Sequence, residues 1–97
     1  MPRPKNPRRI CFRPEAVYFK PRGVPMSSLD EVVVGADELE AVRLSDVEGL
    51  DQTAAAGRMG VSQPTFARIL SSSRKKLAGA VVRGMAIRLE GTEPRHP

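Results

Sequence analysis

The segment that most constrains this chain is 52–71, QTAAAGRMGVSQPTFARILS, which holds Ala56 and, four residues later, Gly60. Two helices that cross steeply over a tight turn need a small residue where they approach, and Ala56 meets that need. The turn needs a residue that tolerates positive φ, and Gly60 meets that. Ala55, Met59, Val61, Phe66 and Ile69 stand where apolar side chains would fill the angle from both sides. Asp51 can cap the first helix and Ser62 the second. Pro64 falls in the first turn of the second helix, where a missing N–H costs little. The pattern predicts a helix-turn-helix, whose second helix presents its N-terminal polar residues to the DNA major groove. An αα-corner with no nucleic-acid role is the competing reading of the same spacing.

The predicted recognition helix runs over about 62–83. At about 100° per residue, Thr65, Arg68, Ser72, Lys75 and Lys76 fall on one face, opposite Phe66, Leu70 and Leu77. Gln63, Thr65 and Arg68 are the candidate base contacts, with Arg68 suited to a guanine edge. Ser62, Ser72, Lys75 and Lys76 are the candidate phosphate contacts.

Charge supports a polyanionic partner. The net charge is +5, and it is laid out in blocks. Residues 1–25 hold seven bases and one acid, residues 26–51 eight acids and one base, and residues 52–89 seven bases and no acid. A solvated surface normally intersperses both signs. Two basic blocks around an acidic one suggest surfaces built to meet a polyanion. Mutual neutralisation of the first two blocks on folding would leave the third unexplained.

Six of the nine prolines lie in residues 1–25, so no helix runs there. This stretch reads as a basic arm, with Arg3, Lys5, Arg8 and Arg9 as candidate minor-groove contacts. A solubilising tail is the plainer reading of it. Short strands are expected at 9–12, 17–20, 31–34 and 85–89. Helix formers dominate ADELEAVRLSDVEG, where Leu39, Val42 and Val47 share one apolar face. Gly35 with Glu38, or Asp37 with Glu40, would cap it, and Gly49 would end it. On the third helix Phe66, Ile69, Leu70, Leu77, Ala80 and Val81 form the apolar face. The fold class expected is therefore mainly α: a basic arm (1–25), a helix-turn-helix domain (26–91) and a polar tail (92–97).

Several function classes are disfavoured. One cysteine, Cys11, and one histidine, His96, leave no material for an internal disulfide, a Cys-rich zinc site or a His-based triad. Cys11 reads as a small buried hydrophobe. Neither metal nor cofactor is expected, and an enzyme reading lacks a nucleophile–base pair. Four aromatics cannot wall a large ligand pocket. No apolar run approaches the ~20 residues of a membrane span, and the basic N-terminus lacks the apolar stretch of a secretory signal. A cytoplasmic location is expected.

The stretches MPRPKNPRRICF, FKPRG, DELEAVRLSDVEGL and GVSQPTFARIL resemble an uncharacterised family of small bacterial and archaeal proteins predicted to bind DNA. The resemblance runs from Met1 to about Gly91. It implies a helical unit similar to region four of sigma factors, within the winged-helix superfamily, with Gln63, Thr65 and Arg68 on its recognition helix. Some relatives are fused to a domain like those that handle iron–molybdenum cofactor, which implies regulation near metal metabolism. This chain departs from the family pattern at Ile10-Cys11, where relatives often carry two adjacent cysteines, and at Ala54 and Gly57, where they are often charged.

The function expected is sequence-specific binding of double-stranded DNA by a transcriptional regulator. A homodimer is expected, held by segments outside Gln52–Ser73, because one short helix-turn-helix covers few base pairs. The alternative is a sigma-like interaction module contacting RNA polymerase or another protein through its acidic first helix.

Overall fold

The computed structural model describes residues 18–90. The chain is mostly helical, with a small three-stranded sheet. Strand β1 is Tyr18–Phe19, and after a 3-10 turn at Met26–Ser28 comes β2, Glu31–Gly35. Helix α1, Ala36–Val42, runs directly into a π-helical turn at Arg43–Val47. Helices α2, Gln52–Met59, and α3, Gln63–Arg83, precede β3, Ala86–Glu90.

The sheet order is β1-β3-β2. Strand β3 pairs antiparallel with β1, setting Tyr18 opposite Arg88, and parallel with β2, setting Val34 opposite Leu89. A parallel pair needs a long crossover, and the whole helical unit between β2 and β3 supplies it. The expected strands at 17–20, 31–34 and 85–89 are found over the described residues. The one at 9–12 lies outside them, as do Cys11 and most of the proposed arm.

Local signals set the helix ends. Glu38 Oε1 accepts from the Gly35 N–H at 2.9 Å, so Gly35 and Glu38 form the cap of α1. Asp51 Oδ1 accepts from the Ala54 N–H at 2.8 Å at the start of α2. The Ser62 hydroxyl accepts from the Thr65 N–H at 3.2 Å at the start of α3. Gly60 closes α2 with φ +71°, a left-handed conformation that costs glycine nothing. The chain then needs only Gly60, Val61 and Ser62 to pass from α2 to α3.

The core sits where these helices meet. Ala41, Leu44, Ala55, Ala56, Met59, Phe66 and Leu70 are buried together, with Val42, Leu50, Val61 and Ile69 packed against them. Of the five side chains expected to fill the angle between α2 and α3, Ala55, Met59 and Phe66 are in this cluster and Val61 and Ile69 pack against it. Val34, Ala80, Ala86 and Leu89 are buried where the sheet meets α3.

Two apolar positions depart from expectation. Val47 is 73% exposed. The π-helical turn closes with the Glu48 N–H on the Arg43 carbonyl, five residues back, so the face set by Leu39 and Val42 does not carry through to Val47. Val81 is 77% exposed. It lies beyond the core cluster, near the C-terminal end of α3, on the rim of a hollow beside β1.

Candidate nucleic-acid interface

The N-terminal turns of α3 pack on the helical core along one face and expose the other. Phe66 and Leu70 anchor them from below, and Gln63 and Arg68 are exposed. The Ser62 hydroxyl accepts from the Thr65 N–H and donates to Thr65 Oγ1 at 2.9 Å. Thr65 Oγ1 also lies 3.4 Å from Arg68 Nη2. This chain of contacts joins the cap to the Arg68 guanidinium. Of the candidate base contacts, Gln63 and Arg68 are open to a ligand, while Thr65 is half-buried and engaged with both neighbours.

The candidate phosphate contacts divide. Lys75 is exposed on the Arg68 side of α3 and has no ion pair among the described residues. Ser62 is exposed but uses its hydroxyl in the cap. Ser72 and Lys76 stand at the contact between α1 and α3. The Ser72 hydroxyl donates to Glu38 Oε2, and Lys76 Nζ donates to Glu38 Oε1 at 2.8 Å and to the Val33 carbonyl at 2.9 Å. They were expected on an open face. They are instead drawn inward by a carboxylate more than thirty positions earlier in the chain. Arg3, Lys5, Arg8 and Arg9 lie outside the described residues.

The acidic block has a structural use. Burial works to raise the Glu38 carboxyl, but hydrogen bonds from Lys76, Ser72 and the Gly35 N–H, with the Lys76 charge, outweigh it and hold the group below its ordinary value. Asp46 receives two bonds from the Arg74 guanidinium, at 2.6 and 3.0 Å, which lower Asp46 and raise Arg74. Glu31 pairs with Arg88 at 2.7 Å across the sheet. Glu40 is only 1% exposed, and Arg43 meets it with two bonds of 3.0 Å. A buried carboxylate requires such a bidentate partner.

The acids thus neutralise part of the third charge block, taking Lys76, Arg74 and Arg88. Arg58, Arg68, Lys75 and Arg83 are without an ion pair among the described residues. Sequence reasoning passed over Arg58 and Arg83. The signal was there in the acid-free stretch 52–89, but which bases remain unpaired emerges only from long-range contacts.

No group of three or more metal-ligating side chains occurs among the described residues, and no helix there is long and apolar enough to cross a membrane. A hollow of about 260 Å³ lies between β1 and the end of α3, lined by Phe19, Pro21, Ala80, Val81, Met85 and Ile87 among others.

Residues 1–96 match the family model described as protein of unknown function DUF134. A UPF0251 protein of Moorella thermoacetica is 58% identical over 91 residues, covering 94% of this chain and 61% of that protein. A UPF0251 protein of a Thermoanaerobacter species is 55% identical, covering 94% of this chain and 80% of that one. A third, from Dehalococcoides mccartyi, is 48% identical over the same share of this chain and covers 78% of its own. The chain therefore spans less than two thirds of the Moorella relative. No solved structure matches it.

Proposed function

We propose that this chain, which belongs to the DUF134 family of proteins of unknown function, binds double-stranded DNA selectively through a helix-turn-helix formed by α2 and α3. Its role would be that of a transcriptional regulator in the cytoplasm, acting by binding rather than catalysis. One observation carries the reading. A three-residue turn with a left-handed Gly60 joins two helices over a shared core and leaves Gln63 and Arg68 exposed on the second, directly after its cap. That arrangement is what reading a major groove requires. Charge supports it, because four bases on α2 and α3 have no ion pair among the described residues and suit a phosphate backbone.

In this reading Arg68 and Gln63 contact base edges, with Thr65 setting the Arg68 position. Lys75 contacts phosphate. Arg3, Lys5, Arg8 and Arg9 follow the minor groove beside the site. Two copies pair through apolar surface outside Gln52–Ser73, where Phe19, Val81 and Val82 are 54%, 77% and 82% exposed. The same exposed surface favours the second reading, a module that docks on RNA polymerase or another protein. The acidic first helix is a weaker contact face than expected, since Glu38, Glu40 and Asp46 are engaged internally.

Selection of bound sequences from a random duplex pool tests the proposal. Enrichment of a defined motif, with affinity falling steeply as salt rises, is the expected result. A pool that stays random after repeated rounds contradicts it.

A further inference from the structure

Helix α3 has 21 residues, far more than are needed to place Gln63 and Arg68. Its bases without an ion pair among the described residues do not stop at the N-terminal end. Taking Arg68 as zero at about 100° per residue, Lys75 lies near −20°, Gly79 near +20° and Arg83 near +60°. All fall on one side of the helix. The other bases of the helix are paired: Arg74 with Asp46 and Lys76 with Glu38. Gly79 on this side is half-buried, and the exposed Ser71 and Ala78 border it near about −60° and −80°, while on the other border the half-buried Ser72, near about +40°, and Lys76, near about +80°, turn to Glu38. Arg83 folds back along the helix, for its Nη1 lies 2.8 Å from where a Cβ on Gly79 would stand. The outcome is a line of exposed cations on α3, from Arg68 through Lys75 to Arg83, bordered on one flank by the contact with α1.

Fifteen residues separate Arg68 from Arg83, a rise of about 22 Å. The major groove is about 12 Å wide. A helix entering end-on would carry Arg83 well away from the duplex. A helix lying lengthwise would bring it onto the backbone beyond the groove edge. We propose that α3 lies lengthwise on the duplex, and that Arg83, with Lys75, holds the phosphodiester backbone flanking the bases faced by Gln63 and Arg68. This rests on the DNA-binding reading above and adds to it a docking pose and a phosphate site at the far end of the helix.

A cation in the last turn also favours the helix dipole, so the test needs a readout that a capping role leaves unmoved. That readout is the salt dependence of binding. The full chain, Arg83→Ala and Arg83→Lys are titrated onto a selected duplex and a scrambled one at several salt concentrations, with Arg68→Ala as reference. Arg83→Ala is expected to weaken both duplexes equally, by about five- to tenfold near 0.1 M salt, and to reduce the slope of log K against log salt by about 0.9. Arg83→Lys keeps the charge and is expected to keep the slope. An unchanged slope in Arg83→Ala, with Arg68→Ala still impaired, overturns the lengthwise pose and leaves the DNA-binding reading intact. Failure of the unaltered chain to bind either duplex overturns both.

Discussion

Lys76 and Glu38 are 38 positions apart in the chain and 2.8 Å apart in space. Their contact pins the start of α1 to the middle of α3, and Ser72 and the Val33 carbonyl complete it. The same carboxylate that caps α1 thereby positions the helix proposed to meet DNA. Glu38 is depressed below its ordinary carboxyl value of 4.5. A group depressed in the folded state contributes fully above its unfolded value and loses that contribution as pH falls through the folded one. Glu38→Gln should therefore cost about 1–3 kcal/mol at pH 7. The deficit should shrink as pH falls below the ordinary carboxyl value. Urea unfolding of both proteins at several pH values checks this, and a deficit constant with pH would assign the loss to packing.

Gly60 carries φ +71°. A β-branched residue is strained there, so Gly60→Val should cost about 2 kcal/mol or more. Thermal melting measures it. A midpoint within a degree or two of the unaltered chain would mean that the turn between α2 and α3 accommodates another conformation.

Gly57 lies inside α2, and a Cβ built there meets nothing within 4 Å. Its φ is not positive. Gly57→Ala should raise stability by about 0.5–1 kcal/mol, the usual gain for a helix interior. Loss of stability in denaturant titration would show that the open space beside Gly57 serves a close approach.

Sedimentation tests pairing. A homodimer is expected, and Val82→Asp should shift it toward monomer by placing a charge on the exposed apolar end of α3. A monomeric mass for the unaltered chain, with and without duplex, contradicts the pairing.

Much of the fold was legible because its signals are local. Asp51 and Ser62 cap the helices their positions announce, Gly60 takes the conformation its spacing requires, and the alternation after Gly84 gives a strand. What was not legible depends on distant partners. Nothing near Ser72 or Lys76 in the sequence reveals that Glu38 will take both. The π-helical turn at Arg43–Val47, which leaves Val47 outside, carries no marker in its residues. The pairing of β2 with β3 joins strands more than fifty positions apart, so periodicity found the strands but not their neighbours. Helical periodicity was enough to place Gln63 and Arg68 on the exposed side of α3. The line through Lys75 to Arg83 became visible only once the paired cations were set aside.

The α3 end beside Ser62 is proposed to read bases while the later cations of the helix hold phosphate. The most direct measurement compares Arg68→Ala with Lys75→Ala on selected and scrambled duplexes across a salt series. Arg68→Ala should cost about 1–3 kcal/mol on the selected duplex, with relaxed preference at one base pair. Lys75→Ala should weaken both duplexes alike and reduce the salt slope by about one. Equal losses on both duplexes for Arg68→Ala would make Arg68 a phosphate contact, and no change in either variant would contradict the account.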